Sequence, residues 1–151
     1  MSNQTNQRII KDYEDFKKNK PLGGIGGPIN GDLKHWEVTI PGPPGTPFEE
    51  GKFKIDIKLD DNYPNSKPDC HFVTKVFHPN IKFTDGSICV QLLNSWTSKN
   101  SSICGIVVAL YGLLKDPNQK SPLNGNANDL YTKDPIRYNQ LAKAFTNKFA
   151  K

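Results

Sequence analysis

The chain has 151 residues, 35% of them hydrophobic, with mean hydropathy −0.62 and formal charge +5. Three cysteines with no CxxC pair exclude a disulfide framework and give no sign of a metal site. Only two of the 20 basic residues, Arg8 and Arg137, are arginines, which speaks against a nucleic-acid partner, and no apolar run reaches the roughly 18 residues of a membrane span.

The length suits one domain over 1–151, with a core from about 6 to 150, that buries about two-thirds of the surface its unfolded chain exposes. The opening "MSNQTNQ" is polar and uncharged, unlike a signal or transit peptide, so the cytosol or nucleus is the expected compartment. Residues 101–151 hold seven basic and three acidic groups, so the positive excess gathers there, on a lysine-rich solvated surface or one that attracts an acidic partner.

Thr5 to Asn19 reads as an amphipathic helix, with Ile9, Tyr13 and Phe16 on one face and Ile10 alongside. "PLGGIGGPINGD" breaks it and matches neither a P-loop nor GxGxxG. Three alternating segments follow: "HWEVTI", "GKFKIDIKL" and "DCHFVTKVF". Their one-sided patterns put Trp36, Val38 and Ile40, then Phe53, Ile55, Ile57 and Leu59, then Cys70, Phe72, Thr74 and Val76 against a core. Such alternation is typical of an antiparallel sheet covered on one face. After an irregular stretch from His78 to Asn100, Ser101 or Ser102 caps a helix through Lys115, apolar almost all round and therefore expected inside the core. A short helix is expected near 124–131. Asp134-Pro135 starts a last helix with the stripe Tyr138, Leu141, Ala142, Phe145 and Phe149. Helix, strands, then helices make an α+β domain.

The irregular stretch contains "FHPNIKFTDGSICVQLL". An unstructured segment of that length is uncommon in a compact domain unless it is functional. Cys89 follows the Asp85-Gly86 turn signal in polar company, which gives a thiol access. Cys104 sits among Ile103, Ile106 and Val107, and Cys70 alternates with Phe72; both read as small buried hydrophobes. In "HPN", Pro79 fixes its own φ and holds His78 extended, so Asn80 is presented in one shape. A rigid amide there either donates to an oxygen that gains charge in acyl transfer or only bonds local backbone; the residues alone leave both readings open.

Other cysteine chemistries fit poorly. A CX5R loop needs Arg at positions held by Val76, Ser95 and Leu110, and a papain-like protease needs a histidine after its cysteine, yet His35, His71 and His78 all precede Cys89. A thiol without a dedicated base remains suited to exchanging a thioester.

"HPNI", "DGSICV" with Cys89, Trp96 and the helix ending "LLKDPNQKSPLN" together resemble the ubiquitin-conjugating enzymes. The likeness extends through "DLKHWEVTIPGPPGTPFEEGKFKIDI", "DNYPNSKPD" and "DLYTKDPIRYNQLAKAF". It implies the UBC-like α+β fold: a four-stranded antiparallel meander, an N-terminal helix, a central buried helix and two C-terminal helices. It implies that Cys89 accepts the C-terminal glycine of ubiquitin from an activating enzyme as a thioester. A RING- or HECT-type ligase then helps pass it to a lysine of a protein substrate. By the same resemblance Asn80 stabilises the oxyanion or the loop, His78 shapes the loop, and Ser121 and Gln91 flank the incoming lysine. Arg8, Lys11, Asn65, Lys67, Thr97, Ser98 and Lys99 meet partners. The protein is then a monomer with no bound metal or cofactor, ATP being used upstream by the activating enzyme. A conjugating enzyme for a ubiquitin-like modifier is the main alternative, ahead of a non-catalytic ubiquitin-binding variant or a cysteine hydrolase. Gln91 and Ser121 stand where aspartate is frequent, which implies weaker unaided transfer. Polar Asn65 and "TSKN" stand where ligases usually find apolar contacts, which implies altered ligase docking.

Overall fold

The computed structural model describes residues 2–88 and 93–151. Helix α1, Ser2–Asn19, leads through a single tight turn into strands β1 (Ile25–Ile29), β2 (Asp32–Pro41), β3 (Lys52–Lys58) and β4 (Asp69–Phe72). Helices α2 (Ile103–Lys115), α3 (Gly125–Lys133) and α4 (Pro135–Phe149) follow. The strands form one antiparallel sheet in the order β1-β2-β3-β4. Among the described residues, no helix is long and apolar enough to cross a membrane.

The alternating segments behave as their pattern requires. Trp36, Val38 and Ile40 on β2 and Phe53, Ile55 and Ile57 on β3 are sealed from solvent, and Trp36 sits opposite Ile57, Val38 opposite Ile55. Helix α2 covers this face with Ile103, Ile106, Val107, Leu110, Leu113 and Leu114. At about 25 cal/mol per Å² of apolar surface, each fully buried aliphatic side chain contributes roughly 2 kcal/mol.

Four expectations need correction. Helix α1 starts three residues earlier than Thr5, and its inward row is Thr5, Ile9, Asp12 and Phe16, while Ile10 is 45% exposed. The row keeps the helical spacing but contains a carboxylate. Second, "IGGPI" forms a strand that residue pattern alone did not reveal. It lacks β-branched alternation because its glycines meet neighbours too closely for a side chain: a Cβ on Gly27 would lie 2.4 Å from the Tyr13 ring. Third, β4 ends at Phe72 instead of running to Phe77. The Thr74 hydroxyl accepts the Lys54 N–H at 2.9 Å, the donor a continuing strand would have claimed, and the chain turns away. Fourth, α2 is buried on one side only; Val108 is half-exposed, since the sheet covers a single face of it.

The starts of α2, α3 and α4 fall where the sequence places them. The Ser102 hydroxyl accepts from Gly105 N, and carboxylate and amide caps at Asp134 and Asn124 accept from Arg137 N and Ala127 N. Helix α4 buries Tyr138 and Ala142, while Phe149 at its end is half-exposed and stacks on Phe145.

Candidate active site

Between β4 and α2 the described residues have little regular structure, and polar side chains hold them. His78 and Asn80 are fully buried at the start of this segment. The Asn80 N–H donates to His78 Nδ1 at 3.0 Å, and His78 Nε2 donates to the Leu113 carbonyl at 2.7 Å. Those two bonds fix the neutral tautomer and tie "HPN" to the end of α2.

Asn80 reaches the other way. Its Nδ2 donates to the carbonyls of Asn118 at 2.6 Å and Ser121 at 3.0 Å, and its Oδ1 accepts the Asn118 N–H at 2.7 Å. Both amide hydrogens therefore have backbone partners. The Pro79 carbonyl accepts from Leu123 N at 2.7 Å and Asn124 N at 3.1 Å. Two consecutive residues, Pro79 and Asn80, thus pin the 118–124 segment, including Ser121, against the start of the irregular stretch.

The same stretch runs on through Ile81, which bridges to Ile88, and through a turn closed by Lys82 N to the Ser87 carbonyl at 2.9 Å. Gly86 makes that turn at φ +77°, and a Cβ there would fall 1.8 Å from the Phe72 carbonyl oxygen. Only glycine fits, because the backbone packs directly on the end of β4. Ile88, the residue before Cys89, is thereby set one ladder position from Asn80. Cys89 and Gln91 themselves lie outside the described residues.

The other two thiols are suppressed. Burial, helped by Asp69, pushes the Cys70 thiol up to about 12. Cys104 is half-buried, and burial followed by Asp15 and Asp12 raises its thiol above the usual value. Among the described residues, no group of three His, Cys, Asp or Glu side chains could hold a metal ion.

Burial also drives His78 down to about 4, against a smaller upward pull from the Leu113 carbonyl. The unfolded chain takes up a proton at this imidazole near pH 6.5, the native chain only near pH 4. Stability from this residue is therefore complete above pH 6.5 and is lost as pH falls toward 4, by about 3 kcal/mol. Urea unfolding at pH 7 and pH 4.5 should show the parent losing about that much more stability than His78→Gln. Equal losses in the two proteins would refute the assignment.

The residues expected to meet partners form a second cluster. Asn65, Lys67, Thr97, Lys99 and Lys11 are exposed and Ser98 is half-buried. The Trp96 indole N–H donates to the Pro64 carbonyl at 2.8 Å, joining the turn at 62–67 to the loop at 96–101, and Lys67 Nζ lies 3.5 Å from Asn94 Oδ1. Arg8 departs from expectation. Its guanidinium points inward, bonding Asp12 and the carbonyls of Ser98 at 2.8 Å and Ser101 at 2.5 Å. Sequence reasoning missed Asp12 and Tyr63, which anchor this contact. The available signal was Asp12 at i+4 from Arg8, in the apolar row between Ile9 and Phe16.

A family model described as ubiquitin-conjugating enzyme matches residues 8–146. The chain belongs to the ubiquitin-conjugating enzyme family. It is 35% identical over 138 residues to ubiquitin-conjugating enzyme E2 1 of Caenorhabditis elegans, covering 91% of this chain and 71% of that protein. It is 34% identical over 145 residues to ubiquitin conjugating enzyme E2 B of Dictyostelium discoideum, covering 96% and 97%. The solved E2 domain of a Toxoplasma gondii ubiquitin conjugating enzyme superposes with TM-score 0.88 at 31% identity, over 96% of this chain and 99% of that one. Ubiquitin-conjugating enzymes are transferases that act through a cysteine thioester, so this chain is an acyl carrier of that class with the UBC fold.

Proposed function

We propose that Cys89 is the carrier thiol, taking ubiquitin from an activating enzyme and releasing it to a lysine. In the loading step the Cys89 thiolate attacks the carbonyl of the activating enzyme's ubiquitin thioester. The new C–S bond forms as the old one breaks, and the departing thiolate takes up the proton that Cys89 lost, so nothing is oxidised and no bound cofactor is required. In the second step a deprotonated lysine amine attacks the same carbonyl, an amide forms and the Cys89 thiolate leaves. ATP is consumed before the first step, by the activating enzyme.

The observation that carries this reading is the packing of "HPN" against 118–124. It organises the start of the segment that leads through Ile81 and Ile88 to Cys89 in sequence, while burial disfavours the thiolates of the other two cysteines. There Asn80 acts first as the brace for Asn118 and Ser121. Any donation to an oxyanion would have to come from the longer of its two N–H contacts, the one to Ser121.

Charging the protein with ubiquitin, ATP and ubiquitin-activating enzyme should give an adduct of ubiquitin's mass that a small thiol removes. No adduct with ubiquitin, and a ready one with a ubiquitin-like modifier and its own activating enzyme, would transfer the role to that modifier. No adduct with either would overturn the proposal.

A further inference from the structure

The chain is rich in lysine, and almost every lysine side chain stands in solvent. Among the described residues only Lys34 and Lys75 are half-buried. Lys34 has a carboxylate partner, Asp61, at 2.6 Å. Lys75 has none. Its Nζ lies 3.4 Å from the Phe83 carbonyl oxygen and 5.0 Å from the centre of the Phe83 ring. A partly desolvated ammonium without a counter-ion is costly, and a ring face with one long carbonyl contact offsets only part of that cost.

This ammonium lines a cavity of about 170 Å³ at the end of β4. Val73 and Lys75, just beyond the strand, meet Phe83, Thr84 and Asp85 of the turn before Cys89. The Phe83 ring beneath the ammonium is itself held, 5.0 Å from Phe145 and 6.2 Å from Phe149 on α4. Asp85 is the one carboxylate in the lining, and it is engaged elsewhere. Its Oδ1 accepts the Ser87 N–H at 2.9 Å, and its Oδ2 lies 4.0 Å from Lys82 Nζ. The bonds to Ser87, and after them Lys82 and His71, hold that carboxyl below the usual range. The cavity is therefore left with a fixed positive charge that nothing in the fold answers.

We propose that this cavity is a subsite for an acidic side chain of the acceptor protein, with Lys75 as its counter-ion. The space is smaller than the roughly 300–1,000 Å³ that a drug-sized ligand fills, so it takes one side chain. A glutamate suits it: the carboxylate meets the ammonium and the Thr84 hydroxyl, while its stem lies against Phe83 and half-exposed Val73. Its place in the fold favours the acceptor as the source. Gly86 also lines the cavity, its backbone packs on the end of β4, and Cys89 follows three residues later. A polypeptide laid across the cavity thus lies against the segment that leads into Cys89. This rests on the carrier reading above and adds a preference to it, for lysines that have an acidic residue nearby.

The test follows single-turnover discharge of the ubiquitin-charged protein to short blocked peptides with one lysine, a glutamate being stepped through the flanking positions. At the best position the glutamate peptide should react about tenfold faster than its glutamine counterpart below saturation, the worth of one hydrogen bond to a charged group. The two peptides differ in binding and not in chemistry, so the difference should lie in KM. Lys75→Met keeps the stem on Phe83 and should abolish the preference, whereas Lys75→Arg should keep most of it. Each ratio is internal to one variant, so losses of folding or loading cancel. Independently, NMR of the uncharged parent should show the glutamate peptide shifting the amides of Val73, Lys75 and Thr84, and sodium acetate binding there far more weakly. A protein that takes the peptide in this cavity but forms no adduct condemns the carrier reading and not the subsite. No preference at any position, a preference that survives in Lys75→Met, shifts confined to other residues, or acetate binding as well as the peptide would overturn the proposal.

Discussion

Replacing Cys89 with serine is expected to eliminate the thiol-labile ubiquitin adduct completely, while Cys70→Ser and Cys104→Ser charge at the parental rate. The expectation follows from how little of the Cys70 and Cys104 sulfurs is ionised. With its thiol pushed up to about 12, Cys70 is a thiolate in only about one molecule in 10⁵ at pH 7. Cys104 is raised for the same reason, its burial reinforced by two carboxylates on α1. A serine at 89 offers at best an oxyester, which a small thiol does not cleave. Non-reducing gels with and without thiol, run on the three single variants, decide the matter. A thiol-sensitive band persisting in Cys89→Ser would move the carrier role to another residue.

Asn80→Ala should have the second largest effect, and it should appear in two readouts of different origin. Removing the side chain orphans the Asn118 N–H and the carbonyls of Asn118 and Ser121 in a partly buried seam. Unsatisfied groups of this kind cost about 1–3 kcal/mol each when water cannot reach them, and partial access here makes about 3 kcal/mol in total a fair expectation. The 118–124 segment would remain tied through the Pro79 carbonyl, so the fold survives. Discharge of the thioester to free lysine should slow by about 10–100-fold, because Ser121, expected to flank the incoming lysine, loses a contact that helps to hold it. Asn80→Asp should do no better, since a carboxylate can accept from Asn118 N but would face two carbonyl oxygens. Urea unfolding and single-turnover discharge separate the effects. Full stability in Asn80→Ala would contradict the bracing network, and a normal discharge rate would confine Asn80 to a structural role.

The sheet and the long helices were readable because they obey simple periods. Phe53, Ile55 and Ile57 alternate, and all three are sealed; Ser102 and Asp134 stand where caps must stand, and both bond the backbone. The parts that escaped detection are those where close packing replaces pattern. Strand β1 hides because Gly27 must lie under the Tyr13 ring, so the residue that makes the strand possible is one that strands usually avoid. The end of β4 hides because a Thr74 hydroxyl substitutes for a backbone acceptor, an exchange that leaves the alternation of "DCHFVTKVF" intact on paper.

The site was legible in composition but not in wiring. "HPN" announced a rigid asparagine, and the residues alone could not say what it held; the answer, Asn118 and Ser121, lies 38 and 41 positions away. Arg8 looked like a surface cation because its helix face is mostly wet. Its true partners became visible only when the carbonyls of Ser98 and Ser101 came within reach.

The bonding of His78 has a consequence for how protons leave the transfer reaction. Both ring nitrogens are occupied and burial keeps the ring neutral to about pH 4, so this imidazole cannot serve as a base at physiological pH. An incoming lysine, with an ordinary pKa of about 10.4, must then shed its proton somewhere other than this ring. The tempo of amide formation would accordingly follow the acidity of the amine that arrives, making the nucleophile's own chemical state a criterion of selection.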